Sequence, residues 1–165
     1  MKFDNILVVF DPTREQQPAL DRAAAIAEEA PSQLHLFACI HEEVTGTENA
    51  GEAREQQRGL LAAMDLRLEQ ATEPLLDRGI RVSTELEWDR DWYHAVVRAS
   101  VRNAADVVLK SSYKHSAAQW VLKRTSDWTL IRECLCPVLL VKEGEQADPR
   151  KVLAAVDIRA KEGSY

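Results

Sequence analysis

The residues best equipped to bind an anion lie between positions 110 and 126. Lys110, Lys114, Lys123 and Arg124 are basic, Ser111, Ser112, Thr125 and Ser126 carry hydroxyls, and no acidic residue interrupts the stretch. His115 adds positive charge below about pH 6.5. Such side chains hold phosphate or carboxylate directly, as forks or point charges. Backbone cradling is a different matter. A phosphate loop uses glycine so that N–H groups can close on the oxygens, and this chain has no glycine between Gly79 and Gly144. The same charges on a solvated loop, or on one that docks another domain, read identically. Asp11 and Pro12 end the first apolar run and form a second candidate ligand contact, with turn formation as the simpler role. Thr125 and Ser126 suit helix caps as well as ligand groups.

Other chemistries find less support. Cys134-Leu-Cys136 has one intervening residue, whereas redox and zinc motifs have two. Cys39 and His35 sit in an apolar run and read as core, and His41, His94 and His115 have no ligand spacing, so no metal is expected. No Gly-x-Ser-x-Gly, His-Glu-x-x-His or Walker A pattern occurs. The expectation is a domain without catalysis. Glu85 and Glu87 share one strand face and read as solubility residues, and the four tryptophans read as core or domain-interface packing.

The elements that position these residues alternate regularly. Residues 5–10 form a continuous branched apolar run, as in a strand covered on both faces. A helix over about 17–30 follows, with Pro18 in its first turn. Residues 33–40 are a second buried strand, and 53–76 repeat apolar residues at helical spacing, closed by Gly79. Residues 80–88 alternate apolar and polar, which predicts an edge strand. A third helix over 92–103, a short strand over 106–109, a loop from Lys110, a helix over 127–134 and a strand from Pro137 to Val141 complete the series. This βαβ order predicts an α/β fold with an open, doubly wound, five-stranded parallel sheet. Ligands then sit beyond the carboxyl ends of the strands, where strand order reverses.

Composition agrees with a soluble globular chain: 45% hydrophobic and 29% charged residues over 165 positions. The net charge of −6 argues against a general nucleic-acid binder. No apolar run approaches the roughly 20 residues that span a bilayer, and three cysteines do not make a disulfide framework. A cytoplasmic location is expected. Lys151-Val-Leu-Ala-Ala-Val-Asp157 repeats Asn5-Ile-Leu-Val-Val-Phe-Asp11 at about one domain length. The expected division is a domain over 1–143, then a linker and the first strand of a truncated second repeat over 144–165.

The series Asn5-Ile-Leu-Val-Val-Phe-Asp11, Gln33-Leu-His-Leu-Phe37, Ala105-Asp-Val-Val-Leu109 and Cys136-Pro-Val-Leu-Leu-Val-Lys142 resembles the universal stress protein family. The stretch from Ser126 to Arg132 is similar to its tandem, E-type members. The resemblance implies the strand order 3-2-1-4-5. It also implies Gly-x-x-Gly, nine residues, then Gly-Ser or Gly-Thr in ATP-binding members. Those glycine positions fall here on Ser111, Lys114 and Arg124, and the final hydroxyl on Thr125. A degenerate ATP loop is therefore expected, with no ATP cofactor held by the family's mode. A stress-response ligand-binding or adaptor role follows, an anionic small molecule being the expected ligand. The other readings are an ATP-binding protein with weak hydrolase activity and a protein- or RNA-docking module. The resemblance further implies that the last strand, through Val138, Leu139, Leu140 and Val141, pairs with a homodimer partner or the second repeat. No membrane partner is expected.

Overall fold

The computed structural model describes residues 3–42, 50–113 and 120–142, with backbone alone for 120–126. The elements are β1 (Asn5–Val9), α1 (Pro18–Glu29), β2 (Gln33–Ile40), α2 (Ala50–Asp77), β3 (Arg81–Trp88), α3 (Trp92–Arg102), β4 (Val107–Ser112), α4 (Trp120–Glu133) and β5 (Val138–Lys142). The strands form one sheet in the order β3-β2-β1-β4-β5, every pairing parallel. The expected second-repeat strand lies outside the described residues.

The unbroken apolar run of β1 has a direct cause. Its alternate side chains enter two different cores. Ile6, Val8 and Phe10 join Leu34, Leu36 and Ala38 of β2 under α1 and α2. Leu7 and Val9 join Phe37, Val108 and the α3 residues Ala95, Val96 and Ala99 on the opposite face. Ile6, Leu7 and Val8 are at most 1% exposed. Burying each such side chain contributes roughly 1.5–3 kcal/mol, so the central strand anchors both layers.

Two helix ends show the same termination by different residues. At the end of α2 the Ile80 N–H donates to the Leu75 carbonyl and the Gly79 N–H to the Leu76 carbonyl. Gly79 has φ +74°, so this is a Schellman end with glycine in the left-handed position. At the end of α3 the Ala105 and Ala104 N–H groups repeat the pattern onto Ser100 and Val101. There the left-handed residue is Ala104, at φ 46°.

Three expectations need correction. β4 continues through Lys110, which has partners in both β1 and β5, and through Ser111 and Ser112, which β5 pairs with Val141 and Lys142. The loop therefore begins only after the strand. α4 begins at Trp120, seven residues earlier than expected, because Leu122, Lys123 and Arg124 are strong helix formers with no glycine or proline among them. Thr125 and Ser126 thus lie inside the helix and do not cap it. Glu85 and Glu87 are not free solubility residues. Arg102 bridges both, and Arg98 bridges Glu87 and Asp89, tying the edge strand to α3. β3 packs Val82 and Leu86 against the α1/α2 core, so its other face turns to these arginines.

Candidate functional site

Strand order reverses between β1 and β4, so their carboxyl ends frame the crevice where this fold binds ligands. The register sets Val9 beside Lys110, so the loop that opens with Asp11 and the last residues of β4, Ser111 and Ser112, adjoin at these strand ends.

The loop after β1 is closed by its own groups. The Asp11 carboxylate accepts the Thr13 N–H at 2.9 Å and the Thr13 hydroxyl at 2.6 Å, an Asx turn. Gln17, buried at 8% exposure, accepts the Asp11 N–H and donates to the Asp11 and Arg14 carbonyls. Arg67 reaches over from α2 to donate to the Pro12 carbonyl at 2.7 Å and the Arg14 carbonyl at 3.1 Å. Its guanidinium also lies 5.5 Å from the centre of the Phe10 ring. Tyr113, just past β4, donates to the Gln16 carbonyl at 3.1 Å and carries Arg14 over its ring at 4.8 Å.

Ser111 occupies the first expected glycine position, and its hydroxyl is already engaged. Its Oγ accepts the Ala19 N–H at 3.1 Å, and the residue is 2% exposed. The reason lies at the start of α1. A helix leaves its first N–H groups unsatisfied. Here Pro18 has none, Leu20 and Asp21 donate to the Gln17 carbonyl, and Gln17 provides no side-chain cap. Ser111 satisfies the remaining group from 92 residues away.

Lys110 also departs from the expected positive patch. Its Nζ lies 3.0 Å from Asp127 on α4, donates to the Ser111 carbonyl at 3.2 Å and sits 5.3 Å from the centre of the Trp92 ring. The stretch without acids ends at residue 126, and the first carboxylate beyond it neutralises the first lysine within it. Ser112 ends β4, half-buried beside Lys142. Lys114 and His115 lie outside the described residues, as do the side chains of Arg124, Thr125 and Ser126.

The neighbouring strand ends complete the rim. The His41 and Trp88 rings approach to 5.8 Å. Asp89 accepts the Asp91 N–H and the Arg98 guanidinium, and these bonds hold its carboxyl below the usual range. The Cys39 thiol donates to the Asp89 carbonyl, and burial pushes it up to about 11. Trp92 joins the core under α3, whereas Trp128 is 55% exposed. His94 pairs with Glu133 at 3.0 Å, and His35 meets Ser83 at 2.8 Å within the sheet. Among the described residues no three His, Cys, Asp or Glu side chains group as metal ligands. A groove of about 650 Å³ opens between α1 and α2 beside the first loop, lined by Phe10, Glu15, Leu20, Arg67 and Ala71 among others. It lies on the α1/α2 side and not at the strand-order reversal.

Gln17, Arg67, Tyr113 and Asp127 were not legible as site residues. Only Asp127 had a signal, as the acid that ends the basic stretch.

The universal stress protein family model matches residues 2–142. Universal stress protein E of Photorhabdus laumondii is 30% identical over 166 residues, covering 99% of this chain and 52% of that protein. The chain thus spans about half the length of the curated relatives it matches. A protein of unknown function from Pseudomonas aeruginosa PAO1 shares the fold at a TM-score of 0.61 and 26% identity, over 87% of this chain and 44% of that one. A universal stress protein solved in complex with cAMP superposes at a TM-score of 0.62, with 16% identity over 86% of this chain and 98% of that one.

Proposed function

Because the chain belongs to the universal stress protein family, we propose that it is a non-catalytic ligand-binding or adaptor domain whose ATP loop is degenerate. The observation that carries this proposal is the hydrogen bond from the Ala19 N–H to Ser111. A glycine at this position would leave backbone free to approach phosphate. Serine instead spends its hydroxyl on the start of α1. Lys110, the cation that precedes Ser111 in β4, is held by Asp127. The proposed contacts for a different anion are Asp11, Pro12 and Ser112, together with Lys114, His115, Arg124, Thr125 and Ser126; Ser111, its hydroxyl engaged by α1, leaves that set.

Calorimetric titration with magnesium ATP tests the proposal. The expected result is no saturable heat, meaning a Kd weaker than about 1 mM, or about −4 kcal/mol of binding. Saturable, magnesium-dependent binding in the micromolar range would overturn it. Native mass spectrometry of the purified chain reads out any retained anion. The cAMP complex of a structural relative supports a second reading, nucleotide binding, with weak ATP hydrolysis as its enzymatic form. Phosphate release from ATP above the buffer rate would select it.

We further propose that β5 pairs with a second repeat or a second copy. It is an edge of the sheet, and Leu139 is 42% exposed on it. Light scattering that shows a strict monomer at high concentration would refute pairing between copies. Among the described residues no helix is long and apolar enough to cross a membrane. We propose a cytoplasmic location.

A further inference from the structure

The pair Cys134 and Cys136 is used by neither the fold's ligand crevice nor the proposed β5 pairing. It sits at the amino edge of the sheet, between the end of α4 and the start of β5, where Val138 pairs with Val108. Sequence spacing rules out the two-residue gap of zinc and redox motifs. The bend between α4 and β5 nevertheless brings the two sulfurs to 3.9 Å. Both residues are partly buried against the α3-side core, at the sheet's surface beside Leu135, which is 86% exposed. The Cys134 N–H closes the last turn of α4 on the Leu130 carbonyl, and Pro137 fixes the backbone after Cys136. Both thiols therefore hang from a held bend.

We propose that Cys134 and Cys136 form a two-thiolate clip for a soft d10 cation, with Cu(I) as the biological ion. The sulfur separation carries the inference. Metal–sulfur bonds of about 2.3 Å put two thiolates about 3.8 Å apart at a tetrahedral angle and about 4.6 Å apart in linear coordination. The observed pair needs to open by at most about 0.7 Å to span either geometry. A disulfide would instead require the sulfurs to close to about 2.05 Å within a ring bridged by one residue. The donor count selects the ion. Zinc asks for four ligands in a structural site, and among the described residues no third His, Cys, Asp or Glu joins the pair. Two soft thiolates alone match Cu(I), which accepts low coordination. The Ser100 hydroxyl lies 3.6 Å from the Cys134 sulfur and accepts its S–H. The same hydroxyl donates to the Val97 carbonyl at 2.8 Å, which fixes it beside the Cys134 sulfur. Binding converts two thiols and one Cu(I) into a dithiolate complex and releases two protons, with no change of oxidation state.

The test uses the reduced full chain under anaerobic conditions, titrated with Cu(I) held by a chromophoric chelator. The expected result is withdrawal of one equivalent, with thiolate-to-copper absorption in the ultraviolet. Cys134→Ser and Cys136→Ser should each weaken uptake at least about 100-fold, since one of two ligands is lost. Cys39→Ser should leave it unchanged. Bound Cu(I) should also protect Cys134 and Cys136, but not Cys39, from alkylation in the unaltered chain, a readout that survives if a serine variant fails to fold. No withdrawal of copper, equal uptake by the Cys136→Ser chain, loss on Cys39→Ser, or Zn(II) bound as tightly as Cu(I) would each overturn the proposal.

Discussion

Replacing Ser111 by alanine tests the central structural claim about the crevice. The hydroxyl of Ser111 satisfies the Ala19 N–H, and Ser111 is 2% exposed, so water cannot take its place without opening the α1 terminus. Alanine fits the same space and removes the acceptor alone. An orphaned buried donor costs about 1–3 kcal/mol, and loss of a helix cap costs about 0.5–2 kcal/mol. The two ranges overlap near about 1.5 kcal/mol, the expected loss for Ser111→Ala. At this chain length each kcal/mol shifts the midpoint by about 2–4 °C, so thermal unfolding should begin about 3–6 °C lower. Urea denaturation gives the free energy directly, with an unchanged slope showing that only stability moved. Ser111→Gly should lose more, because glycine inside a strand adds about 0.5–1 kcal/mol. That variant restores one family glycine but should gain no ATP binding, since Lys114 and Arg124 still stand at the other two positions. A Ser111→Ala loss below about 0.5 kcal/mol would refute the cap, leaving the serine free for ligand.

Gln17→Leu should destabilise by about 1–3 kcal/mol, because one side chain holds the Asp11 N–H and two carbonyls of the first loop; an unchanged urea midpoint would show that the loop holds itself. Gly79→Ala and Ala104→Gly should have opposite signs. A Cβ added at Gly79 meets nothing within 4 Å, so its cost of about 1 kcal/mol comes from left-handed backbone alone. Glycine at 104 relieves the same strain, less its greater unfolded entropy, for a gain of about 0.5 kcal/mol; calorimetric midpoints moving in one direction would contradict this. His35 is held below its ordinary value of 6.5, first by burial and against the pull of Glu85. Its neutral form is therefore favoured by folding. The contribution is fully present above about pH 6.5 and is lost as pH falls through the lowered folded value. Urea midpoints at pH 7.5, 6.5 and 5.5 should fall toward acid, and less steeply in His35→Gln. Asp89 is also held low, but its loss begins only near the carboxylate range, outside this window.

The sequence alone determined the parallel α/β fold, because periodicity is local. The unbroken run of β1 could only be a strand covered twice, and the alternation in β3 could only be an edge. Pro18 and Gly79 marked their helix ends through backbone geometry that each residue carries with it. The crevice at the strand-order reversal followed from element order, and the absence of glycine between Gly79 and Gly144 can be read directly from the sequence. Tertiary structure decided what stands in that crevice. Ser111 reads as a ligand group or a loop residue until β4 lies beside the start of α1. Lys110 reads as a free cation until α4 brings Asp127 to it. Glu85 and Glu87 read as surface acids until α3 lays two arginines along them. The 3.9 Å contact of Cys134 and Cys136 needed the bend between α4 and β5. In each case the partner is a single polar group on another element. Such a pairing leaves no periodic trace in sequence, because it depends on where two elements meet and not on what either repeats.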